Sequence, residues 1–204
     1  YEYKSLNLFK NKFLSIITRK KSVASYGFCL PNKGYDQLIK AIRILKDRGL
    51  IVHLTIYSAI YNSNYYFVYE ELLSYIEKLG IANLVNIEID YNTDEETLDK
   101  LSSHDLLVFP YQNSNESSSA SVRAGIATFK PVIVTPISIF NDVSSIVHYF
   151  NSSRAEDIAE GIYDYFHHNS NLYLTSEKID IIKNRNFSKL GYRLDSIIES
   201  LEIN

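Results

Sequence analysis

The chain contains 204 residues, of which 46% are hydrophobic and 22% charged, an ordinary globular composition for which we expect one folded core. Its net charge of −3 excludes a nucleic-acid-binding surface of the usual basic kind, and no apolar stretch reaches membrane-spanning length. The one cysteine, Cys29, cannot form an internal disulfide, so we expect a reducing, cytoplasmic environment. There is no methionine, even at position 1, and we expect the chain to begin inside a longer protein.

Segments with the patterns of strands and helices alternate along the chain. A mixed leader over residues 1–21 is interpreted as an interdomain segment, and residues 22–204 are predicted to form one domain. The predicted strands cover residues 22–28, 51–57, 84–89, 106–109 and 131–135. The predicted helices cover residues 35–48 and 65–79, begin at residues 93–96, 118–121 and 153–156, and include two more near the end of the chain.

The two longest early segments have helical periodicity. The first places four apolar residues on one helical face: Leu38, Ile39, Ile42 and Leu45. The second is predicted to turn three apolar residues inward: Leu72, Leu73 and Ile76. Gly49 and Gly80 stand where these two helices are expected to end. Regular alternation of strands and helices predicts an α/β, Rossmann-like parallel sheet with helices on both faces.

In a parallel sheet of this kind, ligands bind outside the carboxyl ends of the strands, where loops lead into helix N-termini. The rule identifies the loops in which binding residues are expected before any motif is considered. These loops cover residues 27–34, 58–64, 90–93, 110–118 and 136–141.

The loop after residue 109 leads into a helix that Val122, Ile126 and Phe129 are predicted to anchor to the core. The first-turn N–H groups of this helix, at about residues 118–121, lack intrahelical partners and with the helix dipole form an anion site. Another interpretation fits this segment alone equally well. In it, the serines of residues 117–119 only cap the helix and Glu116 complements its dipole.

The loop over residues 27–34 is bracketed by Gly27 and Gly34, which permit tight turns and close backbone approach. Lys33 near its end can reach an anion held by the neighbouring helix, although a surface lysine before a helix is the simpler alternative. The loop contains neither a dinucleotide-binding GxGxxG nor a phosphate-binding GxxxxGK[ST] pattern. The usual signatures of hydride transfer and ATP hydrolysis are therefore missing.

The two loops in this order, GFCLPNKGYDQLIKAI and then DLLVFPYQNSNESSSASVRAGIATFKPVIVTPISIFNDV, resemble the C-terminal, donor-binding half of a GT-B glycosyltransferase. The greatest similarity is to glycosyltransferase family 4 and to group 1 bacterial enzymes that build surface polysaccharides, over residues 22–142. The resemblance implies that Lys33 and Gly34 contact the donor diphosphate and that Glu116 contacts the sugar hydroxyls. It implies retaining hexosyl transfer from a nucleotide-diphosphate sugar, without a cofactor.

The remaining residues predicted to bind the donor come from the two loops, the start of the helix and the loop at residues 90–93. They are Gly27, Phe28, Tyr91, Tyr111, Ser117, Ser118, Ser119, Ala120 and Arg123, with Tyr91 near the base. Two positions depart from the family pattern, since Gly27 replaces an arginine and Ala124 replaces a glutamate that holds the ribose. Arg123, beside Ala124, either compensates for that loss or forms an ordinary surface salt bridge.

No metal-ligating set is predicted. Alternation on a strand explains Glu88 and Asp90, and the negative charges of residues 94–96 suit a helix first turn whatever the function. The expected partners are a nucleotide-sugar donor and a glycan or lipid-linked acceptor, the latter bound through an absent N-terminal domain. The full-length protein is expected in the cytoplasm or at the inner face of the membrane. Two alternatives are a non-catalytic nucleotide-sugar-binding or interaction module and a sugar-nucleotide epimerase.

Overall fold

The computed structural model describes residues 20–168, 175–184 and 187–202. The predicted leader therefore lies outside the described residues, except for residues 20 and 21. The strands are β1 Lys21–Tyr26, β2 Val52–Tyr57, β3 Val85–Glu88, β4 Leu106–Phe109, β5 Val132–Val134 and β6 His148–Tyr149. The helices are α1 Tyr35–Asp47, α2 Tyr66–Lys78, α3 Asp94–Ser102, α4 Ala120–Ala127, α5 Ala155–His168, α6 Ser176–Asn184 and α7 Phe187–Glu202, with 3₁₀ turns at Ser63–Tyr65 and Ser138–Val143. Within these ranges no helix is long and apolar enough to cross a membrane.

The six strands form one parallel sheet in the order β3-β2-β1-β4-β5-β6. The chain thus builds outward from β1 to β3, returns to the centre, and builds outward again from β4 to β6. This is the strand order of a doubly wound sheet, and it places a topological switch point between β1 and β4. The predicted Rossmann-like fold class is confirmed.

Each face of the sheet packs against its own hydrophobic core. Leu106 and Val108 of β4 belong to the core beneath α1, α2 and α5. Leu107 and Phe109 of the same strand belong to the core beneath α3 and α4. Successive side chains of a strand point to opposite faces, so a run that is apolar throughout requires helices on both sides.

Several details of the predicted elements are wrong, and the short strand β6 was not predicted. Leu73 is 39% exposed, because α2 buries the stripe formed by Val68, Leu72 and Ile76 instead. Phe129 is 44% exposed, since it follows the end of α4 with a left-handed φ of 57°. β1 ends at Tyr26, two residues early, because Gly27 adopts a φ of 148°.

The predicted capping box at the start of α3 is confirmed. The Thr93 hydroxyl accepts a hydrogen bond from the Glu96 backbone N–H at 3.3 Å, and the Glu96 carboxylate accepts one from the Thr93 N–H at 2.8 Å. The two reciprocal bonds satisfy N–H groups that a helix start otherwise leaves free. They also fix the backbone that presents residues 90–94 at the carboxyl edge of the sheet.

His148 of β6 has a pKa lowered by its surroundings. Burial, and next the positive charge of Lys178 on α6, lower the pKa of His148 to about 4. The Lys178 ammonium lies 3.4 Å from His148 Nε2, a geometry that suits a neutral imidazole accepting a hydrogen bond.

We expect the fold to lose stability as the pH falls from about 6.5 towards 4. In that range the unfolded chain binds a proton at His148 near its ordinary pKa of about 6.5, whereas the folded chain resists protonation. The free energy of unfolding of wild type and of His148→Gln, measured by urea denaturation at about pH 7.5 and about pH 4.5, tests this. The wild type should lose more stability than the variant, and equal losses would contradict the assignment.

Candidate functional site

The candidate site lies at the switch point of the sheet. There the loop after β1, residues 27–34, meets the loop after β4, residues 110–119. The Gln112 backbone N–H donates to the Asn32 carbonyl at 2.9 Å. The Gln112 side chain donates to the carbonyls of Pro110 at 2.8 Å and Ser153 at 3.0 Å. Hydrogen bonds to backbone therefore hold the two loops in one arrangement.

Gly34 is the point of closest approach between the loops. It has a left-handed φ of 72°, and a Cβ built on it would lie 1.8 Å from the Pro110 carbonyl oxygen and 2.8 Å from Gln112 Nε2. Only glycine satisfies both the backbone angle and the available space. The contact fixes the start of α1 and the position of Lys33 immediately before it.

Lys33 and Tyr111 form the centre of the site. The Lys33 ammonium lies 3.9 Å from the centroid of the Tyr111 ring, the arrangement of a cation–π contact. The Tyr111 ring is buried, and the Thr135 hydroxyl donates to the Tyr111 carbonyl at 2.5 Å. The Tyr111 hydroxyl lies 3.3 Å from the hydroxyl of Ser119, so Lys33 is linked through one ring to the start of α4.

The N-terminus of α4 faces this centre. Ser119 is the N-cap, and its hydroxyl accepts the Val122 N–H at 3.3 Å. The helix starts later than predicted, because Ser118 precedes the cap and only Ala120 and Ser121 of the predicted span lie in the first turn. Within the described part of the chain, the N–H groups of Ala120 and Ser121 have no backbone or side-chain acceptor.

Gly27 borders three hydroxyl groups. A Cβ built on it would lie 3.1 Å from the Ser121 hydroxyl, 3.3 Å from that of Tyr35 and 3.6 Å from that of Tyr111. Tyr35 is only 2% exposed, and its hydroxyl has no hydrogen-bond partner among the described residues. Burial, and next the neighbouring Tyr111, raise the pKa of Tyr35 well above its ordinary value, which keeps the phenol neutral and able to donate.

Glu116 lies apart from this centre on the exposed loop before α4. Its backbone N–H donates to the Ser114 hydroxyl at 3.1 Å, and its carboxylate has no hydrogen-bond or ion-pair partner among the described residues. Two residues, Ser117 and Ser118, separate it from the cap, and the first turn of α4 contains no acidic residue. Since the dipole interaction falls off within that turn, Glu116 is poorly placed for a purely stabilising role. Ser117 is exposed beside it and Ser118 is partly buried.

Arg123 is held by Asp142 and by the backbone of the predicted residue Ser119. Its guanidinium forms an ion pair with Asp142 and donates to the Ser119 carbonyl at 3.4 Å. Of the two interpretations offered by the sequence, this geometry is that of the salt bridge.

A cleft of about 200 Å³ adjoins the centre on the side of β2 and β3. We call it the side cleft. Four predicted binding residues line it, Gly27, Phe28, Tyr91 and Ala120, together with Tyr26, Tyr57, Ala59, Asp90, Asn92, Asp94, Ser121 and Ala124. Sequence reasoning did not name Asp90 or Asp94 as site residues, although the strand-end rule had marked residues 90–93, and it included Ser121 only for its backbone N–H group. Glu88, by contrast, pairs with Lys100 at 2.8 Å.

A larger groove of about 410 Å³ begins at the loop after β1, where Asn32 and Gly34 line it, and runs between α1 and α2. Its walls include apolar residues such as Phe67 and Tyr75 and two carboxylates, Asp36 and Glu71, but no cationic residue. It lacks the charge that an anionic ligand needs. In the described ranges no group of three or more His, Cys, Asp and Glu residues is arranged to hold a metal ion.

The known proteins that resemble this chain were found by comparing structures and not by comparing sequences. No protein-family model and no curated protein sequence matches the chain. The structure is similar to that of HepE from Anabaena, solved in complex with UDP and glucose, with a TM-score of 0.76 and 14% identity over 94% of this chain and 51% of that chain. It is similar to a glycosyltransferase from Rickettsia africae with a TM-score of 0.75 and 14% identity over 98% of this chain and 52% of that chain.

The C-terminal domain of LpcC, a group 1 glycosyl transferase from Francisella tularensis, is similar in structure and in extent. Its TM-score is 0.66, with 12% identity over 81% of this chain and 85% of that chain. The chain has the fold of one GT-B glycosyltransferase domain. It spans about half the length of HepE and of the Rickettsia africae glycosyltransferase. The closer assignment to glycosyltransferase family 4 stays a prediction.

We expect Gly34→Ala to destabilise the domain more than Gly49→Ala. Both glycines have a left-handed φ, 72° and 83°, but a Cβ on Gly49 meets nothing within 4 Å. Gly49→Ala should therefore cost only the left-handed strain of about 1–2 kcal/mol. Gly34→Ala should cost about 1–3 kcal/mol more, because the loops must separate. Urea denaturation of both variants measures the difference, and equal costs would show that the loops are not in close contact.

Proposed function

We propose that the chain is the donor-binding domain of a retaining glycosyltransferase, which transfers a hexosyl group from a nucleotide-diphosphate sugar during synthesis of a bacterial surface polysaccharide or related glycan. The observation that carries this proposal is the arrangement at the switch point. There the Lys33 ammonium lies over the Tyr111 ring, and the Tyr111 hydroxyl lies next to Ser119, the cap of α4. The first-turn N–H groups of α4 that follow this cap have no acceptor among the described residues. The similarity in fold to HepE, a protein solved with UDP and glucose, supports it.

The chemical demand of this reaction is the negative charge that grows on the departing diphosphate. Lys33 supplies a full positive charge, and the N–H groups of Ala120 and Ser121 supply dipoles reinforced by α4. Such preorganised donors contribute about 3 kcal/mol each to stabilising a developing anion. We propose that they do so without a cofactor or a divalent cation.

Glu116 has the properties required to orient the sugar. Its carboxylate is exposed and unpartnered within the described residues, on the loop that leads to the diphosphate-binding turn. A carboxylate accepts hydrogen bonds from two sugar hydroxyls at once and can thereby aim the anomeric carbon at the acceptor. Tyr91, which is 83% exposed in the side cleft, offers an aromatic face to the nucleotide base.

The alternative of a non-catalytic nucleotide-sugar-binding module has specific support. Gly27 and Ala124 leave the site without the two charged groups that the family pattern carries there. Both proposals share diphosphate binding by Lys33, and they differ in whether the full-length protein transfers the sugar. We further propose that the acceptor binds through a second domain, in the cytoplasm or at the inner membrane face.

We expect the chain alone to bind a nucleoside diphosphate but to transfer no sugar, since it spans about half of HepE. Titration calorimetry with UDP, GDP, ADP and CDP measures binding, and release of diphosphate from the corresponding sugar donors with added acceptor glycans measures turnover. Acceptor-dependent turnover by the chain alone would contradict the need for a second domain.

We expect Lys33→Ala to weaken nucleoside diphosphate and intact donor alike. The loss should be about 1.5–3 kcal/mol, roughly ten- to hundredfold in affinity, as for a hydrogen bond to a charged group. Glu116→Gln should leave nucleoside diphosphate affinity nearly unchanged while lowering transfer by the full-length enzyme, because Glu116 contacts only the sugar.

Lys46→Ala is the matched control for Lys33→Ala. Lys46 lies in the last turn of α1, the helix that Lys33 precedes, and donates to the Gly80 carbonyl at 2.9 Å, at the opposite edge of the sheet. Calorimetry with both ligands should show normal binding by this control. Wild-type affinity in Lys33→Ala would contradict the assignment of the diphosphate to Lys33, and normal transfer by Glu116→Gln would contradict the role of Glu116 in orienting the sugar.

A further inference from the structure

Three hydroxyl groups converge on the open face of Gly27. The hydroxyl oxygens of Ser121, Tyr35 and Tyr111 all lie within 3.6 Å of the point where a Cβ of Gly27 would stand. They come from three separate elements, since Tyr35 begins α1, Tyr111 lies in the loop after β4, and Ser121 belongs to the first turn of α4. Hydrogen-bond donors from three elements therefore surround one point at the switch of the sheet.

Tyr35 is the member of this group that packing does not explain. Its side chain is only 2% exposed, and its hydroxyl has no hydrogen-bond partner among the described residues. A buried hydroxyl without a partner lowers the stability of a fold, and in native proteins such a group usually serves a ligand or a water molecule. A phenylalanine would fill the same space without that cost. The phenol oxygen therefore points to a function.

The three hydroxyls and a side chain at position 27 exclude each other. The family pattern has an arginine where this chain has Gly27, but any Cβ there would lie 3.1 Å from the Ser121 hydroxyl and 3.3 Å from that of Tyr35. The φ of 148° at Gly27 also suits only glycine. Gly27 and Ser121 line the side cleft, so a ligand atom that approaches the open face of Gly27 comes within reach of the hydroxyls.

This group of donors is suited to an anionic oxygen. The N–H groups of Ala120 and Ser121 find no acceptor in the part of the chain that the structure describes, and the dipole of α4 adds positive potential. Burial, and next the neighbouring Tyr111, raise the pKa of Tyr35 well above its ordinary value, so the phenol keeps its proton and donates. A phosphate oxygen accepts several such hydrogen bonds, and bonds to a charged acceptor are the strong ones.

We propose that the Tyr35 hydroxyl donates a hydrogen bond to a phosphate oxygen of the donor diphosphate, across the open face of Gly27 and next to Ser121. This inference rests on the proposed function and adds a binding residue to it. Lys33 supplies a positive charge to the diphosphate, whereas Tyr35 supplies a neutral donor. The chain thus replaces a charged side chain at position 27 by a hydroxyl that reaches the ligand from the start of α1.

Tyr35→Phe removes the hydroxyl and retains the ring. The variant should bind the best binder among UDP, GDP, ADP and CDP about tenfold more weakly, the effect of one hydrogen bond to a charged group. Without ligand it should melt at the same temperature as wild type or higher, because the removed hydroxyl had no partner. Titration calorimetry and thermal melting of the full chain measure both quantities. Normal binding would overturn the proposal, as would a lower melting temperature of the free variant.

Tyr165→Phe is the matched control. The Tyr165 hydroxyl donates to the Asp105 carbonyl at 2.7 Å, just before β4 and hence at the opposite edge of the sheet. Its loss should lower the melting temperature and leave nucleotide binding unchanged, the reverse of what is expected for Tyr35→Phe. Weaker binding by this control equal to that of Tyr35→Phe would overturn the proposal, because the effect would then not depend on the position of the hydroxyl.

Ser58→Ala tests whether the phenol serves only a neighbouring side chain. The Ser58 hydroxyl is also buried without a partner among the described residues, and it lies near the phenol of Tyr35. Ser58→Ala should bind the nucleotide as wild type does, because Tyr35 and not Ser58 contacts the phosphate. A loss of affinity as large as that of Tyr35→Phe would overturn the proposal.

Ionic strength distinguishes the neutral donor from the charge. Salt screens the attraction between Lys33 and the diphosphate, so the affinity of wild type should fall as salt is raised. The affinity of Tyr35→Phe should fall equally steeply, whereas that of Lys33→Ala should depend less on salt. A flattened salt dependence in Tyr35→Phe would show that the substitution acts by displacing Lys33, and it would overturn the proposal.

A 2′-deoxynucleotide identifies the part of the ligand that the phenol contacts. Tyr35→Phe should weaken the nucleoside diphosphate and its 2′-deoxy counterpart by the same factor, because both carry the same diphosphate. A loss confined to the ribonucleotide would place the phenol at the sugar and would overturn the proposal.

These outcomes separate this inference from the proposed function. If wild type binds a nucleoside diphosphate and Lys33→Ala weakens it, but Tyr35→Phe binds normally, the assignment of Tyr35 alone fails. If wild type binds none of the four nucleotides, the proposed function fails and the assignment of Tyr35 fails with it.

Discussion

The site depends on the contact between the backbone of Gly34 and the carbonyl of Pro110. With no side chain on Gly34, the loop after β1 can lie directly against the loop after β4. That approach brings the Asn32 carbonyl within 2.9 Å of the Gln112 N–H and sets Lys33 over the ring of Tyr111. Without this close approach, the charge of Lys33 and the dipole of α4 would act at separate places.

The parts of the site differ in how firmly they are held. Tyr111 is fixed by its buried ring and by the bond from Thr135 to its carbonyl, and Ser119 is fixed as the cap of α4. Glu116 and Tyr91 lie on exposed loops and have freedom to adjust. A rigid centre flanked by exposed loops suits the proposed donor, whose diphosphate is constant and whose sugar and base vary.

The distribution of charge gives the site a direction. Lys33 and the N-terminus of α4 form an electropositive end, whereas Asp90 and Asp94 form an electronegative end with Gly27 between them. A nucleotide has the same division, with its charge on the phosphates and its hydroxyl donors on the ribose. Reversing the ligand would place phosphate against carboxylate, so electrostatics favours one orientation.

The sequence by itself determined five of the six strands, because strand and helix periodicities are local and each buried run must be covered on both faces, as in β4. It missed β6, since a strand of two residues shows no period. It also marked the loops that contain Lys33 and Glu116, since loops at strand ends can be counted along the chain. The tertiary structure decided which loops meet. From the sequence, Asp94 was interpreted only as a residue that starts a helix. That it lines the same cleft as Ala124 follows from the packing of α3 and α4 on one face of the sheet, which the sequence pattern does not show.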